Sequence, residues 1–231
     1  MIQDRVISQE VAEEQRRFIL SVYNWMMTAL LVTTAVAYYV STSESMINFM
    51  FGNPFIFFGL FIAELFAVGY LAIAVKKMSA SRATFVFILY AALNGLTLSF
   101  IFLVYTQAAI TSAFFTAAAM FGAMSFYGYT TKKDLTSWGS FFFMGLIGIV
   151  IGSVVNMFWA NSALYWLVTY IGVFVFVGLT AYDTQKIKNM NIIGNEGTDE
   201  DKKEAIMGAL TLYLDFINLF LMLLRIFGRR N

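Results

Sequence analysis

The feature that most constrains this chain is a series of seven apolar stretches, joined by mostly short polar connections. Each is close to the length of about 20 residues that a helix needs to cross the hydrocarbon of a bilayer. Sixty per cent of the residues are apolar and only 13% are charged. Soluble domains carry roughly 25% charged residues, so this chain has too little polar surface for water. The sequence therefore predicts an all-α polytopic membrane protein with seven transmembrane helices. The predicted spans cover residues 18–40, 54–75, 84–105, 109–129, 138–159, 163–183 and 206–226.

Little of the chain lies outside these spans. We expect residues 1–17 to form a cytoplasmic N-terminal segment and residues 18–228 to form a single seven-helix membrane domain. The first apolar run, of about 23 residues, is too long for a cleavable signal core and is expected to be retained. The polar stretch from Lys186 to Glu204 is expected to be the only sizeable loop.

The composition also excludes several classes of function. The chain has no cysteine and no histidine, which excludes disulfides, thiolate nucleophiles, the Ser-His-Asp triad and most zinc sites. Phosphate-binding and dinucleotide motifs are absent from the sequence, as is a GxGD-like motif of intramembrane aspartyl hydrolases. A net charge of +1 gives no reason to expect nucleic acid as a partner. We predict a protein that is not an enzyme and has no cofactor.

The positive charges of the connections alternate along the chain. They precede the first span and lie between spans two and three, four and five, and six and seven, whereas residues 41–53, 106–108 and 160–162 contain no Lys or Arg. Positive residues favour the cytoplasmic side, so the N-terminus is predicted to be cytoplasmic. The exceptions are Arg225, Arg229 and Arg230, at and beyond the end of the seventh span. They lie outside if this segment crosses the membrane and inside if it is re-entrant; we favour a crossing helix but leave the side of the C-terminus open.

Two further patterns concern packing. Six spans of alternating direction match an inverted three-plus-three repeat with one helix left over, as in many transporters, although any six spans divide in this way. Gly148 and Gly152 form a small-xxx-small pattern that favours helix packing. Asn94, inside the third span, is read mainly as a residue that hydrogen-bonds between helices and less as a functional one.

Three acids lie within or at the edge of predicted spans: Glu64, Asp183 and Asp215. An ionised acid near the bilayer centre costs about 2.5–3.5 kcal/mol on insertion scales, and no basic residue lies deep enough to pair with these acids. Protonation or mutual hydrogen bonding is therefore expected. For Glu64 a neutral, hydrogen-bonded packing role is an equal alternative.

Asp183 and Asp215 are the strongest candidates for function. Asp183 ends span six, and Asp215 lies about nine residues into span seven, which re-enters from the same side, so a tilt or an unwound start of span seven could bring them level. Two carboxyl groups in contact share a proton and titrate as a unit, which in a chain without histidine makes them the best candidate for a pH switch. The alternative for Asp183 is a solvated helix end paired with Lys186 and Lys188.

The same residues could hold a cation. Asn218 lies three residues from Asp215 and Thr180 three residues from Asp183, each on the same helical face as its acid. Two carboxylates together with Asn218, backbone carbonyls and water would form a weak calcium site, suited to passage more than to storage.

Three motifs resemble one known family. Residues 178–188, GLTAYDTQKIK, and residues 210–228, LTLYLDFINLFLMLLRIFG, resemble the signatures of the Bax inhibitor-1 (transmembrane Bax inhibitor motif) family, and KKDL at 132–135 looks like its pattern after the fourth span. The resemblance covers nearly the whole chain and is to the bacterial inner-membrane branch. It implies two three-helix layers around a central C-terminal helix and a pH-sensitive calcium leak, with the bilayer, calcium and protons as partners.

The resemblance also assigns residues. It implies that Asp183 and Asp215 are the family's paired aspartates and that Glu64 is its acid in the second helix. Some members carry an arginine near the cytoplasmic end of that helix. The aligned position in this chain is nearest Val75, with Lys76 beside it, and lysine lacks the planar fork of arginine. Family members also resemble regulators that bind other membrane proteins, such as cell-death modulators or, in bacteria, modulators of a membrane protease. This is the alternative function, and the sequence decides neither ion selectivity nor oligomeric state.

Overall fold

The structure is a computed structural model that describes residues 2–228, apart from the side chains of residues 2–8 and of Phe57. Arg229 and Arg230, which entered the prediction of topology, lie outside the described residues. Within the described part of the chain, nine α-helices follow one another without a β-strand between them. They are α1 (Ile2–Thr42), α2 (Glu44–Phe51), α3 (Pro54–Ala74), α4 (Ala80–Leu98), α5 (Phe100–Val104), α6 (Gln107–Thr130), α7 (Thr136–Trp159), α8 (Ser162–Met190) and α9 (Asp199–Phe227).

Seven helical segments are long and apolar enough to cross a membrane, which confirms the predicted number. The third of these segments combines α4 and α5, which are separated at the buried Ser99. The Ser99 hydroxyl donates to the carbonyl of Leu96 at 2.6 Å, a local bond that competes with the regular helix ladder. The arrangement in two layers around the last helix stays a prediction.

The expected long loop is shorter than the sequence indicated. The helices α8 and α9 continue into the polar region, so only residues 191–198 are non-helical. The start of α9 is stabilised by an acidic first turn, which suits the positive end of the helix dipole, and by the Thr198 hydroxyl, which accepts from the Asp201 N–H at 3.2 Å. The turn uses Gly194 and Gly197 at φ 91° and 77°, a left-handed conformation that glycine adopts without steric cost.

The chain divides into two compact units. The first consists of Met1–Val104 with Met190–Tyr213, and in it α1 and α3 both pack against α4. Its polar end is held by contacts to the 191–198 turn: Arg17 Nε lies 2.6 Å from Glu196 Oε1, and the Gly194 N–H donates to Glu14 Oε1 at 2.8 Å. The backbone N–H of Ala80, which begins α4, donates to Asp199 Oδ2 at 3.0 Å.

The second unit consists of Tyr105–Asn189 with Leu214–Asn231. The boundary after Val104 falls between the third and fourth spans, as the three-plus-three grouping predicts; an inverted relation between the two groups stays a prediction. The single membrane domain over residues 18–228 likewise stays a prediction.

Small residues let α7 approach α8 in the second unit, but not the pair that the sequence indicated. A Cβ added at Gly145 would lie 2.7 Å from a methyl group of Val175, and one at Gly152 would lie 2.8 Å from a methyl group of Val168. Gly148 has no atom within 4 Å of the same position, so its predicted packing role was wrong. The face that meets α8 repeats every seven residues, through Gly145 and Gly152.

The end of α9 lies at the same end of the second unit as the starts of α6 and α8. The guanidinium carbon of Arg225 is 5.5 Å from the ring centroid of Tyr165, and Gly228 lies against the ring of Tyr105. The helix is unbroken over 29 residues, which at 1.5 Å per residue is about 43 Å and enough to cross a bilayer. This length favours a crossing helix, and the side of the C-terminus stays open.

Candidate functional site

The site is built on two buried stretches of α8 and α9 in the second unit. On α8, the backbone around Asp183 is fixed by close contacts: a side chain at Gly128 of α6 would collide with the carbonyl of Ala181, and one at Gly178 would collide with the ring of Phe142. Only glycine permits these approaches, which hold α6 and α7 closely against the part of α8 that carries Asp183. The Asp183 residue is 8% exposed.

The position of Asp215 on α9 is fixed by aromatic packing. The neighbouring Phe216 ring makes edge-to-face contacts with Phe114 and Phe121 of α6, at centroid distances of 5.8 and 5.5 Å. Asp215 is 5% exposed. Because α9 is continuous from Asp199, the two acids meet without the unwound start that the sequence suggested as one route.

The carboxyl groups of Asp183 and Asp215 lie close enough to interact with each other. Oδ2 of Asp215 is buried and has no hydrogen-bond partner among the described residues. An ionised carboxylate has only acceptor atoms, so a hydrogen bond between two carboxyl groups requires a proton on one of them. The arrangement is compatible with an acid pair that shares one proton.

The charged surroundings of the pair are limited. Lys186 is the positive charge that acts on Asp183, and its ammonium lies 5.8 Å from the ring centroid of Tyr182. The Lys188 ammonium donates to the carbonyl of Tyr129 at 2.9 Å. Within the described residues Asp183 forms no ion pair within 4.0 Å. It is buried in contact with Asp215, and the solvated helix end does not describe its environment.

The two predicted supporting residues bond elsewhere. The Thr180 hydroxyl donates to the carbonyl of Phe176 at 2.7 Å, and the Asn218 amide donates to the carbonyl of Leu214 at 2.8 Å. Both bonds satisfy groups within their own helices. The structure therefore brings the two acids together but forms no hydrogen bond from either supporting residue to the pair.

The third acid, Glu64, lies in a separate polar cluster of the first unit. The Thr97 hydroxyl donates to Glu64 Oε1 at 2.6 Å, and both residues are buried. One turn away, Asn94 donates to the hydroxyl of Tyr90 at 3.3 Å, while Oδ1 of Asn94 has no hydrogen-bond partner among the described residues. Glu64 and Asn94 thus share one buried polar region of α3 and α4.

Sequence reasoning missed Thr97, Thr33 and Tyr213. Tyr213 is fully buried, and its hydroxyl lies 2.8 Å from the hydroxyl of Thr33, which donates to the carbonyl of Ala91 at 2.8 Å. A hydroxyl has one hydrogen, so Tyr213 must be the donor to Thr33. The position of Thr97, three residues after Asn94 on one helical face, was the available signal for the Glu64 cluster.

Lys76 is exposed in a short 3₁₀ turn, Val75–Lys77, after α3. No ion pair of Lys76 is found among the described residues. Whether Lys76 takes the place of the arginine of other family members, which the sequence left open, stays open.

No group of three or more acidic side chains that could hold a metal ion is found in the described part of the chain. The acid pair offers two carboxyl groups, so a calcium ion bound there would need backbone carbonyls and water to reach the six to eight oxygen ligands it prefers. This donor set fits only a weak site.

Comparison with known proteins gives one consistent result. The family model described as inhibitor of apoptosis-promoting Bax1 matches residues 15–231. The inner membrane protein YbhL of Escherichia coli K12 is 56% identical over 215 residues, which is 93% of this chain and 92% of that protein. An uncharacterised protein of Rickettsia prowazekii is 47% identical over 224 residues, 95% of this chain and 92% of its own. One of Deinococcus radiodurans is 39% identical over 231 residues, 100% of this chain and 98% of its own.

Proposed function

This chain belongs to the Bax inhibitor-1 family of integral, multi-pass membrane proteins, and from that premise we propose that it is a pH-sensitive calcium leak channel whose state is set by proton binding to Asp183 and Asp215. The observation that carries the proposal is the contact between two buried carboxyl groups in a chain without histidine.

The switch follows from the chemistry of the pair. With one shared proton, the two groups form a hydrogen bond and carry one negative charge between them. Loss of that proton leaves two negative charges in contact and removes the only hydrogen that the contact contains. The groups must then separate or bind a cation. Either response changes the packing of α8 against α9, and the pair titrates as one unit.

Calcium is the ion that we assign to the pathway. Carboxylates are hard oxygen ligands of the kind that calcium prefers, and a site with only two of them binds weakly enough to release the ion. Calcium and the shared proton compete for the same oxygens. Flux should therefore depend on pH through occupancy as well as through the conformation of the pair.

We also propose a location and an orientation. The relative YbhL is named as an inner membrane protein of Escherichia coli, and we assign the same bacterial membrane to this chain. The alternation of Lys and Arg between the connections supports a cytoplasmic N-terminus. In this orientation Asp183 lies near the cytoplasmic end of its helix.

The test is calcium flux into liposomes that contain purified protein and a calcium dye, measured from pH 5 to 8. Wild-type protein should give a pH-dependent leak, and Asp183→Asn and Asp215→Asn should each change that dependence, because an amide keeps the shape of the carboxyl group but cannot lose the proton. Asp134→Asn is the matched control, since Asp134 is an exposed acid in the connection between α6 and α7.

Two results would count against the proposal. If both pair variants leak like the wild type across this range, the assignment of the switch to the pair is wrong. If the wild type gives no flux at any pH, the better account is the alternative function, a regulator that binds other membrane proteins.

A further inference from the structure

A crevice near the end of α9 contains an arginine, Arg225, that forms no ion pair with any residue the structure describes. Its volume is about 160 Å³, and all of its lining residues belong to the second unit. They come from the last turns of α7, the first turns of α8 and the last turn of α9. The lining residues are Ser153, Asn156, Met157, Tyr165, Val168 and Arg225.

The turn between α7 and α8 fixes the shape of the crevice. Ala160 adopts a left-handed conformation with φ 44° and ends α7, and its N–H donates to the carbonyl of Asn156 at 2.8 Å. The N–H of Asn161 donates to Oδ1 of Asn156 at 2.8 Å, and Oδ1 of Asn161 accepts from the N–H of Leu164 at 3.0 Å. The turn therefore holds the side-chain amide of Asn156 by its oxygen, Oδ1, and the N–H groups of this amide remain available as donors.

The crevice is rich in hydrogen-bond donors, and none of its lining residues is acidic. Arg225 is half-buried and lies over the ring of Tyr165, and its only hydrogen-bond acceptor among the described residues is the sulfur of Met222 at 3.9 Å. Neither the Ser153 hydroxyl nor the Asn156 amide nitrogen is hydrogen-bonded within the described part of the chain. The sequence of the second unit contains only three acids, Asp134, Asp183 and Asp215. The nearest to Arg225 along α9 is Asp215, ten residues or about 15 Å away.

We propose that this crevice, which we call the Arg225 crevice, binds the phosphate group of a membrane phospholipid. A guanidinium presents two parallel N–H donors to a phosphate, and Ser153 and Asn156 add neutral donors. The surroundings match a lipid better than a soluble anion: Met157 and Val168 supply apolar wall, and Tyr165 lies at a helix start beside the exposed Trp166. Tyrosine and tryptophan are typical of the level of the lipid headgroups.

The proposal also accounts for an anomaly in the topology. The connections at this end of the second unit, residues 106–108 and 160–162, contain no Lys or Arg, yet the structure places Arg225 beside them. A phosphate that is part of the bilayer neutralises this arginine without a protein carboxylate.

The experiment is lipid binding to the full chain, delipidated in detergent and measured by native mass spectrometry. Phosphatidylglycerol is compared with diacylglycerol, which has the same chains and no phosphate, and glycerol 3-phosphate is added as a soluble competitor. Arg225→Gln should weaken phosphatidylglycerol binding about ten-fold or more, the loss expected for a charge-assisted contact to phosphate. Arg225→Lys should retain part of the binding, because the charge remains and the fork is lost.

The control is Arg82→Gln, an exposed arginine of α4 in the first unit, which should leave binding unchanged. Equal binding of phosphatidylglycerol by wild type and Arg225→Gln, with both proteins monodisperse and helical, overturns the site. Equal binding of diacylglycerol and phosphatidylglycerol by the wild type overturns the assignment to phosphate. Displacement of the lipid by millimolar glycerol 3-phosphate overturns the assignment to a lipid and indicates a soluble phosphate ligand. Binding of phosphatidylglycerol alone, lost in Arg225→Gln and resistant to the competitor, supports the proposal.

Discussion

The close approach of α6 to α8 beside the acid pair should make Gly128→Ala a destabilising substitution. The Cβ of alanine would collide with the carbonyl oxygen of Ala181 and would lie 2.9 Å from its carbonyl carbon and 3.0 Å from its Cα. These atoms are backbone and cannot rotate away as a side chain can. The two helices must therefore separate near Asp183, two residues further along α8.

The magnitude follows from two opposing effects. Extra volume in a packed contact typically costs about 1–3 kcal/mol. Replacing a glycine within a helix by alanine stabilises the helix by up to about 1 kcal/mol, because alanine has the higher helix propensity. Gly148→Ala has the second effect alone, because a Cβ at Gly148 of α7 meets no atom within 4 Å. The two variants contain the same chemical change and should differ in free energy of unfolding by about the steric contribution, 1–3 kcal/mol.

The assay is reversible unfolding in mixed micelles by titration with dodecyl sulfate, followed by circular dichroism. Gly128→Ala should unfold at a lower fraction of dodecyl sulfate than the wild type, and Gly148→Ala at an equal or higher fraction. Coincident transitions of the two variants would show that α6 and α8 do not approach as closely as the contact with Ala181 requires, and the reasoning would be refuted.

Three further outcomes are expected. Thr97→Val removes the donor to the buried Glu64 and should lower the free energy of unfolding by about 1–3 kcal/mol, whereas Thr130→Val, on an exposed residue, should change it by less than about 0.5 kcal/mol; similar shifts in the dodecyl sulfate titration would argue against the buried bond. The hydrogen bond from Thr136 lowers the pKa of Asp134 below its ordinary value of 3.8. The stabilisation that ionised Asp134 gives the folded protein is therefore complete above pH 3.8, and it is lost as the pH falls through the lowered pKa. The drop in melting temperature caused by Asp134→Ala should therefore be the same at pH 5 and pH 7, and a drop at pH 7 that vanishes at pH 5 would contradict this account. Reporter fusions at the two termini should report opposite sides of the membrane, with the N-terminus cytoplasmic; both termini on one side would contradict a crossing α9.

The spans could be predicted from the sequence because the thickness of the bilayer sets a fixed length for each apolar run. The extension of α8 and α9 beyond the predicted spans could not be predicted, because hydropathy does not detect a helix that continues into polar residues. That extension shortens the expected loop to residues 191–198. The continuous α9 also excludes the unwound start that the sequence suggested as one way for Asp183 and Asp215 to meet.

The contacts of individual residues were the least predictable part of the structure. Gly145, Gly148 and Gly152 lie on one helix, and either of two pairs could face a neighbouring helix. In the structure Gly145 and Gly152 pack against valines of α8. Thr180 and Asn218 are placed correctly beside their acids along each helix, but their side chains can reach carbonyls of the preceding turn and do so. Local hydrogen bonds of this kind compete with bonds to residues of other helices, and the spacing of residues along the sequence does not reveal them.

The seventh helix differs from the other six in a way that bears on the switch. In its most apolar stretch 67% of the residues are buried, against at most 39% in the other spans. Its two functional candidates, Tyr213 and Asp215, are two residues apart, so at 100° per residue they lie about 200° around the helix from each other. Tyr213 donates to Thr33 in the first unit, and Asp215 contacts Asp183 in the second.

A rotation or shift of α9 that separates the two carboxyl groups must also move the Tyr213 hydroxyl from its acceptor. Tyr213→Phe, which removes this bond and leaves both acids in place, should therefore change the pH dependence of calcium flux. An unchanged pH profile in Tyr213→Phe liposomes would show that α9 does not move as a rigid helix when the pair loses its proton.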